Sequence, residues 1–336
     1  MKLGSEDALV EWLRQRSGRA GHTLLGDDGA VISAQGEWAV TLDHQIAGVH
    51  FPEGLDPALV ARRLLAVNAS DLAAMGAQPR FAFLALAVPP DFDARRLLAS
   101  LSRECTRLGV ELAGGDVAKS PTATTSLTLL GSKSPKGRWL SRSNGRAGDL
   151  LWVGGSLGES AAGRLLLARG ARMSGRRVEL PKRIGTDRGI AAAARRAVRR
   201  HLLPKPQLEL GRWLAGRSRV AAIDLSDGLA LDLHRLCRES GVGATLESDA
   251  LPRPARFADL CRELDQDPLE LTLTGGEDYV LLFTLSPSQK PPGDFGCTRV
   301  GRLTDGRKVQ LTTADGTQAL AAGGWDHFET DPWSPS

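Results

Sequence analysis

Apolar residues along this chain fall into two kinds of pattern. Short continuous runs close on Gly, Pro or an acid and predict buried strands; longer stretches repeat apolar residues every three or four positions and predict helices. A helix is predicted over 5–16, with Leu9, Val10 and Leu13 on one side. Trp38 to Asp43 reads as a strand ending on a carboxylate. Asp56-Pro57 starts a helix, with Asp as N-cap and Pro in the first turn, and Gly76 and Pro79 signal its end near Met75. Its apolar stripe is Val60, Leu64, Val67, Asp71 and Ala74. Asp71 thus takes a slot reserved for a core side chain, where a carboxylate is costly unless paired or metal-bound. Phe81 to Val88 predicts a buried strand, 93–109 a helix, and Val110 to Ala113 a strand leading into Gly114-Gly115-Asp116. Thr125 to Gly131 is another strand, and the polar stretch Lys133 to Ala147 joins two halves.

The second half restarts with the strand Leu150 to Val153 and a helix to about Arg169. Helices follow over 187–203 and 207–217. Val220 to Ile223 reads as a buried strand that stops on Asp224, turns through Leu225-Ser226 and enters a helix over 227–240, closed by Gly241. Ser226 is a good N-cap residue, which would present backbone N–H groups to an anion. Glycines abut acids again in Gly275-Gly276-Glu277-Asp278, ahead of a strand from Tyr279 to Leu285. Thr298 to Leu303 is predicted as the last strand.

The length of 336 residues allows two domains of ordinary size. No stretch is long and apolar enough to span a bilayer, and the start carries no signal-like segment. Cys105, Cys237, Cys261 and Cys297 are scattered without a CxxC pair. That pattern fits reduced thiols in a cytoplasmic protein better than disulfides or a zinc site. The net charge is +4, with the excess concentrated between Arg169 and Arg219. Arg195, Arg196, Arg199 and Arg200 share a helix face. No aromatics interleave, so a solvated arginine face is preferred to a nucleic-acid groove, and neither nucleic acid nor membrane is expected as a partner.

Chemistry concentrates in aspartates at strand ends, in glycine loops or in core slots: Asp28 beside Asp27, then Asp43, Asp71, Asp116, Asp224 and Asp227. Oxygen-only donors without a Cys or His cluster select hard cations such as Mg²⁺ or Mn²⁺. Several such ions imply a polyphosphate. The chain lacks a P-loop and a G-x-G-x-x-G turn, so a nucleotide would be gripped through metal-bridged acids, glycine turns and helix N-termini. A rival reading comes from Gly154-Gly155-Ser156-Leu157-Gly158, which matches the G-x-S-x-G elbow of serine hydrolases. A capping box between Ser156 and Glu159 explains the same residues without chemistry.

Taken together, Gly26-Asp27-Asp28, Asp43 with Gly48 and His50-Phe51, Val67 to Gly76, Gly114-Gly115-Asp116, Ile223 to Gly228, Gly275 to Tyr279 and Trp325-Asp326-His327-Phe328 resemble the thiamine-monophosphate kinase family. The match is collinear from about residue 7 to 328. The resemblance implies an α/β (α+β) fold of the aminoimidazole ribonucleotide synthetase superfamily, with mixed sheets flanked by helices. It implies an N-terminal domain over 1–147 that pairs its sheet in a homodimer, a C-terminal domain over 148–328, and a tail over 329–336. It also implies ATP, several Mg²⁺ and phosphorylation of thiamine monophosphate to thiamine diphosphate, the last step in making that cofactor. By position, Asp28, Thr41, Asp43, Asp71, Asp116, Asp224 and Asp227 would hold metals. Gly115, Asp116, Arg142 and Ser226 would contact ATP, and His50, Glu277 and Trp325 would face thiamine monophosphate. The family usually has a hydroxyl residue where this chain has Leu42. A sister enzyme with another substrate stays open, although no Cys precedes Cys105 and the chain ends Trp333-Ser334-Pro335-Ser336. A phosphate acceptor is mostly dianionic near neutrality. No general base is therefore expected, and direct in-line transfer needs only cancellation of charge.

Overall fold

The computed structural model of the chain describes Trp12, residues 35–185 and residues 187–325. Asp28, and all but Trp12 of the helix predicted over 5–16, lie outside them. The first half contains β1 (Trp38–Ile46), α1 (Pro57–Ala74), β2 (Ala77–Val88), α2 (Ala94–Leu108), β3 (Glu111–Lys119) and β4 (Thr124–Lys133). Its sheet runs β1-β4-β2-β3, parallel between β2 and β3 and antiparallel elsewhere. One face is covered: Leu84, Leu86, Leu127 and Leu129 pack with Val60 and Leu64 of α1 and Leu97 and Leu101 of α2. The other face is open and apolar. Val40 is 62% exposed and Leu42 54%, and the Trp38 and Phe81 rings meet there at 5.7 Å.

Two local expectations change. β1 continues past Asp43 to Ile46, so Asp43 sits inside the strand rather than at its end. β3 runs on through Gly114, Gly115 and Asp116, where the strand is expected to end, with a bulge at Ala113. A Cβ on Gly115 would collide with the Leu84 carbonyl, so glycine here lets β3 lie close against β2.

The second half contains β5 (Leu150–Gly154), α3 (Glu159–Ala168), β6 (Arg172–Ser174), β7 (Arg177–Glu179), α4 (Arg188–Leu202), α5 (Leu208–Ala215), β8 (Ala222–Asp224), α6 (Leu229–Ser240), β9 (Gly243–Glu247), α7 (Phe257–Glu263), α8 (Pro268–Thr274), β10 (Leu281–Leu285), β11 (Cys297–Thr304), β12 (Val309–Thr313) and β13 (Gly316–Ala319). Seven strands form one sheet in the order β13-β12-β9-β11-β5-β10-β8, parallel only between β12 and β9. β11 is therefore not the last strand. β13 is exposed along its whole length, so no apolar run betrays it.

The Ser156–Glu159 capping box does not form. α3 starts after Gly158 in the left-handed conformation. Asp278 accepts from the Gly158 N–H (2.8 Å) and more loosely from that of Ser160 (3.4 Å), while Glu159 pairs with Arg196. Ser226 is not an N-cap either. α6 starts at Leu229 after Gly228 at φ 124°, and the Asp227 N–H is taken by Asp232 (3.0 Å). Arginines of the basic run tie elements together: Arg196 donates to Ala255, Arg199 to Arg176 and Arg200 to Asp278, each at the carbonyl.

α1 is buried on nearly every side. Ala73 and Ala74 pack with Leu210, Leu214 and Phe283 of the second half. A Cβ on Gly211 would strike the Ala73 carbonyl, so this glycine lets α5 touch the α1 backbone. α1 thereby serves both halves and carries its polar residues to their junction.

Candidate active site

A cavity of about 250 Å³ opens at that junction. Asp43, Asp71, Asp224 and Asp227 line it together with Ser226. The β1 pleat turns Thr41, Asp43 and Gln45 toward α1 and sends Val40, Leu42 and His44 to the open face. The Leu42 side chain therefore points away from the aspartates. Asn68 fixes the register: it accepts from the Asp43 N–H (3.2 Å) and donates to the Leu64 carbonyl (2.8 Å). The Thr41 hydroxyl donates to Asp71. Asp224, the last residue of β8, accepts from the Ser70 hydroxyl at 2.8 Å. Asp227 is buttressed from α6, where Arg235 donates to both Asp227 (2.5 Å) and Asp232 (2.7 Å).

Asp43, Asp71 and Asp224 are held against their electrostatic preference. Burial, then the charges of Asp71 and Asp227, push Asp43 up to about 7, with Arg63 pulling the other way. Burial raises Asp71, while the Thr41 hydroxyl and the Arg142 charge oppose it. Asp224 lies well above the usual carboxylate range, through burial first and Asp71 second. Crowded carboxylates that resist ionisation are what a divalent cation relieves. The donors are all oxygen, which suits an ion of the Mg²⁺ class. Among the described residues no three such groups close into a finished cage. The set accordingly fits ions that bring water and phosphate oxygens with them.

The same cavity is lined by His50, Glu277, Tyr279, Arg164 and Trp325. The His50 Nδ1 accepts from the Ile46 N–H (3.1 Å), which leaves Nε2 to carry the ring N–H. Glu277 sits in a tight loop where it and Tyr279 have φ of 58° and 47°. Such non-glycine strain costs on the order of 1–3 kcal/mol. Here the loop is clamped by Glu277 N–H to Ser226 carbonyl (2.6 Å) and Tyr279 N–H to Leu225 carbonyl (2.8 Å). Behind the loop, buried Arg63 donates to Glu277, to the His201 carbonyl and to Gln45. The His201 Nδ1 lies 3.1 Å from Glu277. Trp325 is docked by its N–H on the Asp227 carbonyl (2.8 Å).

Three expected residues lie elsewhere. Gly115 and Asp116 belong to β3, and neither lines the cavity. Asp116 pairs with Ala85, in the row that continues to Ser126 and His44 on the open face. Arg142 is exposed in a short turn, and only its charge reaches Asp71. The sequence reading missed Arg63, Asn68, Ser70, Arg164, Asp232 and Arg235. The nearest signal was Asn68, one turn before Asp71. Ser156 lines a separate basic cavity, and it is Ser160, not Ser156, whose hydroxyl meets the His201 Nδ1 (3.3 Å).

Family models give the same picture. Residues 26–132 match the AIR synthase related protein N-terminal domain and 146–313 its C-terminal domain. The thiamine-monophosphate kinase of Salmonella typhimurium is 37% identical over 295 residues, covering 86% of this chain and 84% of that protein. The solved thiamine-monophosphate kinase of Stenotrophomonas maltophilia K279a superposes with a TM-score of 0.77 at 30% identity, over 96% of this chain and 99% of that one. AaThiL complexed with AMPPCP and TMP gives 0.75 at 28% identity, over 98% and 99%. The chain is an enzyme of the thiamine-monophosphate kinase family, within the AIR synthase related proteins.

Proposed function

We propose that this protein transfers the γ-phosphoryl group of ATP directly to the phosphate of thiamine monophosphate, forming thiamine diphosphate and ADP. The observation that carries the reading is the convergence of Asp43, Asp71, Asp224 and Asp227 on one small cavity that also presents an indole, a histidine and a carboxylate. When bound, Mg²⁺ supplies charge neutralisation between the triphosphate and the acceptor phosphate. Asp43, Asp71, Asp224 and Asp227, with the Thr41 hydroxyl behind Asp71, would hold it. Ser226 lines the same cavity beside Asp227 and would contact the triphosphate. Trp325 offers a stacking face for the acceptor's heterocycles, worth about 0.5–2 kcal/mol. The His50 Nε2–H and the fixed Glu277 carboxylate orient the acceptor. The acceptor oxygen is already anionic, so no residue need remove a proton.

The enzyme acts as a homodimer in this reading. The open face of the first sheet exposes Val40 and Leu42, an edge-to-edge apolar surface of the kind a second copy covers. That face runs to the cavity rim at His44, which bonds Ser126 (2.5 Å). Asp116 stands on that face and Gly115 directly precedes it in β3, so in this reading the Asp116 carboxylate and the Gly115 backbone act as metal and phosphate contacts at the subunit junction. No helix among the described residues is long and apolar enough to cross a membrane, and four unpaired thiols suit the cytoplasm. The deciding experiment is ADP release with thiamine monophosphate, with thiamine and with no acceptor, each with and without Mg²⁺. Release that depends on both thiamine monophosphate and Mg²⁺ is expected; equal release without acceptor would overturn the reading.

A further inference from the structure

The described cavity lining carries the carboxylates of Asp43, Asp71, Asp224, Asp227 and Glu277. A phosphate monoester brings about −1.5 to −2 charges near neutrality, and in such a cavity it faces several groups of its own sign. Cations bound to the four aspartates also serve the triphosphate, so the acceptor phosphate gains from a positive side chain of its own. Arg63 does not supply it, because that side chain is fully buried behind the loop and does not line the cavity. The described lining contains one arginine and no lysine: Arg164. It projects from α3, whose first turn is anchored by Asp278, so its base is fixed. Its guanidinium lies over the Trp325 ring, 5.7 Å from the centroid, and both line the cavity. A guanidinium can meet two phosphate oxygens at once, a geometry an alcohol cannot match.

We propose that Arg164 binds the phosphate of the acceptor and thereby selects a phosphorylated acceptor over the free alcohol. This rests on the acceptor being a phosphate ester, as read above. Arg164 is a specificity residue: it touches the phosphate that accepts the transferred group and leaves ATP binding to the aspartates.

The test is calorimetric titration of wild type, Arg164→Met and Arg164→Lys with thiamine monophosphate and with thiamine, alongside the KM for ATP. Wild type is expected to bind thiamine monophosphate more tightly than thiamine. Arg164→Met should weaken thiamine monophosphate by roughly 10–100-fold, the range for a lost charged hydrogen-bond pair. Thiamine affinity and the ATP KM should stay within about threefold, and Arg164→Lys should recover part of the loss. Equal weakening of thiamine and thiamine monophosphate would show that Arg164 only supports Trp325, and would overturn the proposal. Unchanged affinity for thiamine monophosphate would also overturn it, with the kinase reading intact. A wild type that binds neither compound but hydrolyses ATP would overturn both.

Discussion

Asp43 stands among groups of its own sign, and its proton is the most informative in the molecule. Its value rises from 3.8 to about 7 in the folded protein, so the folded state holds this proton more tightly than the unfolded chain does. Its contribution to stability is full below 3.8 and is lost as the pH rises through about 7. A Mg²⁺ ion held by these aspartates would relieve the same repulsion. It is therefore expected to raise the melting temperature more at about pH 8 than at about pH 5.5; a shift independent of pH in scanning calorimetry would contradict this. Asp71→Asn and Asp227→Asn are each expected to abolish turnover while circular dichroism stays native, and near-normal rates at ordinary Mg²⁺ would remove the aspartates from the mechanism. These aspartates were legible in sequence because each breaks a local apolar pattern. Arg63 and Ser70 were not, because their partners Glu277 and Asp224 lie 214 and 154 positions away. No periodicity links such pairs.

At the scale of elements, α1 is the shared wall. Its close contact with α5 depends on the missing side chain at Gly211. Gly211→Ala is expected to cost about 1–3 kcal/mol, the usual price of overpacking, read as a lower urea midpoint with an unchanged slope. An unshifted midpoint would mean that α5 can slide away. Strands and helices with apolar runs, such as β2, α2 and β10, were legible with small errors at their ends. The two helix starts were misread for one reason. Ser156 and Ser226 have good capping chemistry, yet Gly158 and Gly228 hold the N-cap positions, and the acids Asp278 and Asp232 accept the nearby N–H groups instead. β12 and β13 were missed because their short, largely polar sequences carry no alternation strong enough to mark a strand.

For the whole molecule, the open sheet face is the surface on which the proposed dimer rests. Val40→Lys with Leu42→Lys is expected to reduce the solution mass by light scattering to that of one 35.8 kDa chain, and a mass unchanged from wild type would move the interface elsewhere. Placing Asp116 at the subunit junction has a sharper consequence. If it serves the neighbour's cavity, mixing inactive Asp71→Asn and Asp116→Asn proteins under exchange should restore about a quarter of wild-type activity through mixed dimers. No recovery would assign both residues to the same subunit's site. The two-sheet architecture was legible from the family resemblance. The separation of Asp116 from the other aspartates was not, since a linear list of acids says nothing about which face of a sheet each one occupies.

The tie between Arg63 and Glu277 also sets a timetable for synthesis. The carboxylate lies 214 residues downstream, so at 5–20 residues per second the arginine leaves the ribosome about 10–40 s before its counter-charge exists. Through that interval the first half carries an unneutralised cation at a position destined for the interior, and final closure of the nascent chain must wait for the loop after α8.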